Sequence, residues 1–162
     1  MGFGQLVPFM PWLKRGFDTP EILEEKPTVR ADIITQLVIN WLEKNRDKHF
    51  FLWLHYFNPH SPYNSPLPYK KLFLNDEFYG KHNIDLPIKS GNFLESSIGD
   101  IPNFVAERGI TNVDYYISQY DTEIKFTDAQ IGSLLETLNK LNLIMFQSLW
   151  VYAIKNLVIL IC

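Results

Sequence analysis

Cysteine is all but missing from this chain. Of 162 residues only Cys162, the last, carries a thiol. That excludes an internal disulfide framework, a cysteine-bound metal cluster and an internal thiol nucleophile. Lysine and arginine form no run among the aromatic residues, and the net charge is −3, so no nucleic-acid partner is expected. There is no G-x-S-x-G elbow, no glycine-rich phosphate cradle after a strand and no dinucleotide fingerprint. No internal repeat or low-complexity tract occurs. No basic segment precedes the apolar stretch 1–11, which Gly2, Gly4, Pro8 and Pro11 interrupt, so no secretory signal is read there.

What is present is a globular composition. Hydrophobic residues at 46% against charged residues at 20% exclude a disordered tail and suffice for one core. A single domain over 1–162 is expected. Pro27 introduces the first strong element. Ile34, Leu37, Val38, Trp41 and Leu42 recur at helical spacing and predict a helix over 28–45, with Thr28 as its N-cap. His49–Phe57 (HFFLWLHYF) is almost wholly apolar with no polar face, which predicts a strand covered on both sides in a parallel sheet. Helix followed by apolar strand is half of an alternating α/β unit, so the fold class is α/β. The strand ends at Asn58–Pro59, at the sheet edge where ligands bind in such folds.

Residues 58–68 (NPHSPYNSPLP) hold four of the ten prolines and predict a rigid, extended loop. Residues 69–109 read as a long surface excursion, with a short helix over 101–107. A second long helix is predicted over 113–141, opened by a capping box of Thr111 and Asp114 and ended by Asn142. Its apolar face is Ile117, Tyr120, Ile124, Ile131, Leu134, Leu135, Leu138 and Leu141, and a bend is considered near Thr127 or Gly132. Asp121, Glu123, Lys125, Asp128 and Glu136 fall opposite, as a solvated face. Ser148–Tyr152 then reads as a second buried strand. Residues 144–162 carry one charge, Lys155, and are just long enough to span a bilayer. Gln147, Ser148, Asn156 and a lysine near mid-depth argue against a span, so a strand followed by an atypical apolar tail over 153–162 is preferred.

Four histidines are candidates for chemistry: His49, His55, His60 and His82. His55 lies in the apolar strand, where a core histidine is the plain reading. His60 lies in the proline loop off a strand end, where an imidazole can donate to an anion or protonate a leaving group. Asp76, Glu77 and His82 are weighed as further zinc ligands, but no recognised zinc spacing occurs.

Lys48–Tyr63 (KHFFLWLHYFNPHSPY) resembles a segment of the sulfatases, in the alkaline phosphatase-like superfamily. Gly16–Asp18, Pro27–Asp47 and Tyr120–Leu143 (YDTEIKFTDAQIGSLLETLNKLNL) are similar to its flanks, so the resemblance covers roughly 16–152. It implies part of a three-layer sandwich around a mostly parallel sheet, and hydrolysis of sulfate esters. The family nucleophile, a matured cysteine of a C-x-P-S-R motif, acts beside calcium or another divalent cation. By this resemblance His60 contacts the sulfate group and His55 is a second substrate-side histidine. Asn58 stands where many relatives carry Asp, which puts the local charge beside His60 in doubt. The substrate implied is a sulfate-ester small molecule or glycan.

The nucleophile motif has no counterpart in this chain. Ile154, Lys155 and Asn156 stand where an Asp-His-Gly or Asp-Asn-Gly would supply metal ligands, and a lysine cation cannot replace a carboxylate. The expectation is therefore an internal segment of a sulfatase domain, inactive and poorly soluble alone, with catalytic residues and metal ligands absent. A shifted reading frame or disrupted gene is the reading of the tail 154–162. Two alternatives stand beside it. One is a non-catalytic interaction or membrane-associated protein acting through 144–162. The other is a phosphoryl-transfer relative of the same superfamily.

Overall fold

The computed structural model describes residues 2–4, 20–21, 29–50, 52–89, 99–143, 149–154 and 156–161. In chain order these form β1 (Gly2–Gly4), β2 (Pro20–Glu21), α1 (Ala31–Asn45), β3 (Leu52–Tyr56), β4 (Ile88–Lys89), β5 (Ile101–Pro102), α2 (Val113–Lys140), β6 (Leu149–Ile154) and β7 (Asn156–Ile161). Two compact units result. One is Met1–Pro59 with Phe126–Cys162, and the other is His60–Lys125.

The first unit is built on β3. Its neighbours are β1, parallel, and β7, antiparallel, in a sheet ordered β2-β1-β3-β7-β6. Leu54, His55 and Tyr56 are all buried in succession. Side chains alternate across a strand, so both faces of β3 are covered, as its unbroken apolar pattern requires. Helix α1 buries Ala31, Ile34, Val38 and Leu42, a single stripe at spacings of three and four. Each of the larger side chains contributes about 1.5–3 kcal/mol relative to exposure. The Thr35 and Tyr56 hydroxyls lie 2.6 Å apart, joining α1 to β3. That bond satisfies two buried polar groups, and it places Leu52, Leu54 and Tyr56 on the α1 side of the sheet. Burial pushes the Tyr56 phenol up to about 12, against the opposing effect of the Thr35 bond. Val29 and, from α2, Phe126, Leu134 and Leu138 are the other buried apolar side chains among the described residues of this unit.

The start of α1 departs from the sequence reading. The N-cap residue is Arg30, two residues beyond the expected Thr28, which lies outside the described residues. Arg30 makes no capping bond of its own. The Ala31 N–H donates instead to the Asn58 Oδ1 at 3.0 Å, from the turn beyond β3. Asn58 is thus a helix cap supplied from 27 residues away, satisfying one of the orphan donors of the first turn. Asp32 adds a negative charge in that turn, where the helix dipole favours one. The Arg30 guanidinium beside Asp32 holds its carboxyl below the ordinary carboxylate range.

Of the strand pairings, β1–β2, β1–β3 and β4–β5 are parallel. The antiparallel ones, β3–β7 and β6–β7, belong to the C-terminal hairpin. The fold is α/β with a mostly parallel pairing pattern, as expected. The expected strand 148–152 is β6, shifted to Leu149–Ile154, and Asn156–Ile161 of the apolar tail is itself a strand, inserted between β3 and β6. Among the described residues no helix is long and apolar enough to cross a membrane.

The second unit has a different chemistry. Among its described residues Ile101 is the one buried apolar side chain, whereas Ser65, Asp114, Ser118, Gln119, Thr122 and Glu123 are buried and polar. The short helix expected over 101–107 is instead β5 followed by a turn, with Val105 and Ala106 both donating to the Pro102 carbonyl. Helix α2 runs without interruption through Thr127 and Gly132. Its start is capped by Asn112, whose Oδ1 accepts the Asp114 N–H at 2.9 Å. The expected capping box does not form, because the Thr111 hydroxyl donates to Asp85. At the other end Asn142 adopts φ 57°, its N–H donates to the Asn139 carbonyl, and Leu143 donates to Leu138. This pair of bonds is a Schellman closure.

Replacing Asn58 by Ala should remove the remote cap and lower stability by about 1–2 kcal/mol in urea unfolding. Asn58→Asp keeps the acceptor and adds a charge the helix terminus favours, so it should stay within about 1 kcal/mol of wild type. Equal losses in the two variants would show that the Oδ1 bond is not what stabilises α1.

Candidate functional site

The loop carrying His60 is shaped by its prolines and by one carboxylate. The peptide bonds before Pro59, Pro62 and Pro68 are cis. Proline has no N–H, so the loop offers few backbone donors. Two consecutive ones, Asn64 and Ser65, both donate to the Glu123 Oε1 at 2.6 Å. Glu123 is 0% exposed. A buried charge needs such partners, since losing water without them costs several kcal/mol. One residue earlier, the Tyr63 ring meets Tyr120, with centroids 6.2 Å apart. Burial, then the nearby Tyr120 and Glu123, raise the Tyr63 phenol.

His60 is half-buried, and its Nδ1 lies 2.6 Å from the Ser61 carbonyl oxygen. A carbonyl can only accept, so Nδ1 carries the proton. Nε2 then accepts when the ring is neutral and donates when the ring is protonated. An anion would be met by the protonated form, as a charge-assisted donor.

Three further side chains of α2 hold the excursion in the same way. Gln119 donates to the Lys70 carbonyl at 3.2 Å. Asp121 accepts the Tyr79 hydroxyl at 2.6 Å, and burial followed by that bond pushes the Tyr79 phenol to about 12. Asp114 accepts both the backbone N–H and the ring Nδ1 of His82. Burial alone would raise the Asp114 carboxyl. The His82 ring and the N–H groups of His82 and Asn83 outweigh it and hold it below the ordinary range.

The sequence reading of this helix is therefore corrected. Tyr120 and Ile124, expected on the buried face, are 42% and 43% exposed, while Glu123 is buried. Residues 114, 118, 119, 122 and 123 share one stripe at helical spacing, and that stripe is polar. Hydropathy alone sends such a stripe to solvent. The detectable signal was the spacing of Asp, Ser, Gln, Thr and Glu, read without regard to polarity.

His55 sits in β3 at 1% exposure, in the unit that does not contain His60. Burial lowers its pKa to about 4, so the ring is neutral near pH 7. Asp76, weighed as a metal ligand, instead accepts the Phe78 N–H at 2.9 Å in a turn. Among the described residues no three His, Cys, Asp or Glu side chains are grouped to hold a metal ion. His82, Asp114, Asp121 and Glu123 are engaged with protein partners, so the described residues do not fit a divalent cation.

The family model for sulfatases matches residues 5–146. The chain belongs to the sulfatase family. No curated protein and no solved structure matches it.

Because the folded state holds His55 neutral, the unfolded chain takes up its proton first on acidification. The His55 contribution is fully present above pH 6.5 and is lost as the pH falls to about 4. The shift corresponds to about 3 kcal/mol. Urea unfolding between pH 7 and 4 should show this loss in wild type and a flatter profile in His55→Gln. Parallel profiles would show that another group dominates acid unfolding.

Proposed function

We propose that this chain is a segment of a sulfate-ester hydrolase in which His60 contacts the sulfate group. The match to the sulfatase family over residues 5–146 carries this reading. The placement of His60 supports it: a half-buried imidazole with one nitrogen tied to the backbone, on a proline-stiffened loop. In the reaction it would supply a hydrogen bond to negative charge developing on sulfate oxygens. The substrate class is a sulfate-ester small molecule or glycan. His55, the second substrate-side histidine of the family resemblance, is a buried neutral ring in β3.

The 162 residues contain no C-x-P-S-R motif, and their acidic side chains do not assemble a cation site among the described residues. The covalent step then has no attacking atom within this chain. In this reading the nucleophile and the divalent ion belong to a longer parent polypeptide.

Purified chain should show no turnover of p-nitrophenyl sulfate. Titration with sodium sulfate, followed by amide NMR shifts, should perturb His60, Ser61 and Tyr63, and His60→Ala should abolish the perturbation. Turnover that disappears in His60→Ala would overturn the segment reading. Unshifted amides in the wild type would overturn the role of His60. A larger response to sodium phosphate than to sulfate would favour a phosphoryl-transfer relative.

A further inference from the structure

We infer that Glu123 is a positioning residue for the His60 imidazole, acting through the backbone of the proline loop. The inference rests on the reading of His60 as the sulfate contact. Its physical basis is a chain of short constraints within one unit. The His60 ring is tied by Nδ1 to the carbonyl of the next residue. From there Pro62 fixes one backbone angle, and the segment reaches Asn64 and Ser65 in three steps. Those two N–H groups converge on a single oxygen of Glu123. Tyr63, between them and Pro62, meets Tyr120, one helical turn before Glu123.

Two features argue that more than loop packing is involved. A charged acceptor for two N–H groups makes stronger, shorter bonds than a neutral one, so the loop is held to a narrow geometry. Sulfate recognition by one imidazole is sensitive to such geometry, because hydrogen bonds weaken steeply with angle. Within the loop, these two bonds fix consecutive N–H groups to a single side-chain oxygen. Pro59, Pro62, Pro66 and Pro68 supply no N–H donor. Glu123 itself stands on a long helix whose neighbouring buried residues, Gln119 and Thr122, face the same way. A site held from a rigid element is held more accurately than one on a free loop.

The test uses the full chain with Glu123→Ala, Glu123→Gln and His60→Ala. Three quantities are read: exchange protection of the Asn64 and Ser65 amides, the His60 ring Cε1–H NMR signal, and affinity for inorganic sulfate. Glu123→Ala should lower protection and sulfate affinity by about tenfold each and shift the ring signal. Glu123→Gln, whose amide oxygen still accepts, should recover most of each loss. It also carries the test if the alanine variant fails to fold. His60→Ala should abolish sulfate binding while the two amides stay protected. Unchanged sulfate affinity and ring signal in a folded Glu123→Ala, or in Glu123→Gln when only that variant folds, would overturn the positioning role. If wild type binds no sulfate, the reading of His60 has failed. The ring signal then decides on Glu123 by itself: a shift supports positioning and an unchanged signal overturns it.

Discussion

The polar stripe on the first half of α2 is the constraint on which the second unit depends. In residues 60–125 Ile101 is the one described apolar side chain that is fully buried, so the hydrophobic effect alone does not order the excursion. Order comes from side chains of the helix that reach main-chain and side-chain partners in the loops. Glu123 takes two N–H groups, Asp114 takes a backbone and a ring donor from His82, Asp121 takes the Tyr79 hydroxyl, and Gln119 gives to Lys70. Such bonds are modest individually when solvent can compete. Buried and charge-assisted, they become specific, because breaking one leaves a desolvated group without a partner.

The first unit follows the opposite rule. Its centre is apolar, and two of the buried polar side chains inside it reach partners on neighbouring elements. Asn58 serves the N-terminus of α1, and Thr35 meets Tyr56. Asn58 also explains a local feature of the sequence. Its amide still presents an oxygen to the first turn of the helix without carrying a charge. His55 is the exception in this unit, an ionisable ring in a strand covered on both faces, and burial answers it by keeping the ring uncharged.

Membership of the sulfatase family and the chemistry of the chain are separate matters. The match covers most of the sequence, yet the grouped acidic ligands a divalent ion needs are not found among the described residues. What the chain does carry is a shaped loop with an oriented histidine. Its site residues divide accordingly. The proline loop and His60 were legible, because proline restrains φ wherever it occurs and the motif around His60 is distinctive. Glu123 was not legible, because an acidic residue on an amphipathic helix reads as solvated unless its partners are known. His82 and Asp114 were missed as a pair for a related reason: 32 residues separate them, and neither alone signals the other.

By itself the sequence determined the α/β class, helix α1, the buried strand β3, the stiff loop and the extent of α2. These follow from local rules: apolar periodicity, the absence of a polar face, and the restricted backbone of proline. Only the tertiary structure decided that Asn58 caps α1, that Asn156–Ile161 pairs with β3, and which face of α2 is buried. Each of those depends on a partner distant in the chain, and hydrogen bonds between distant residues leave no periodic trace in composition.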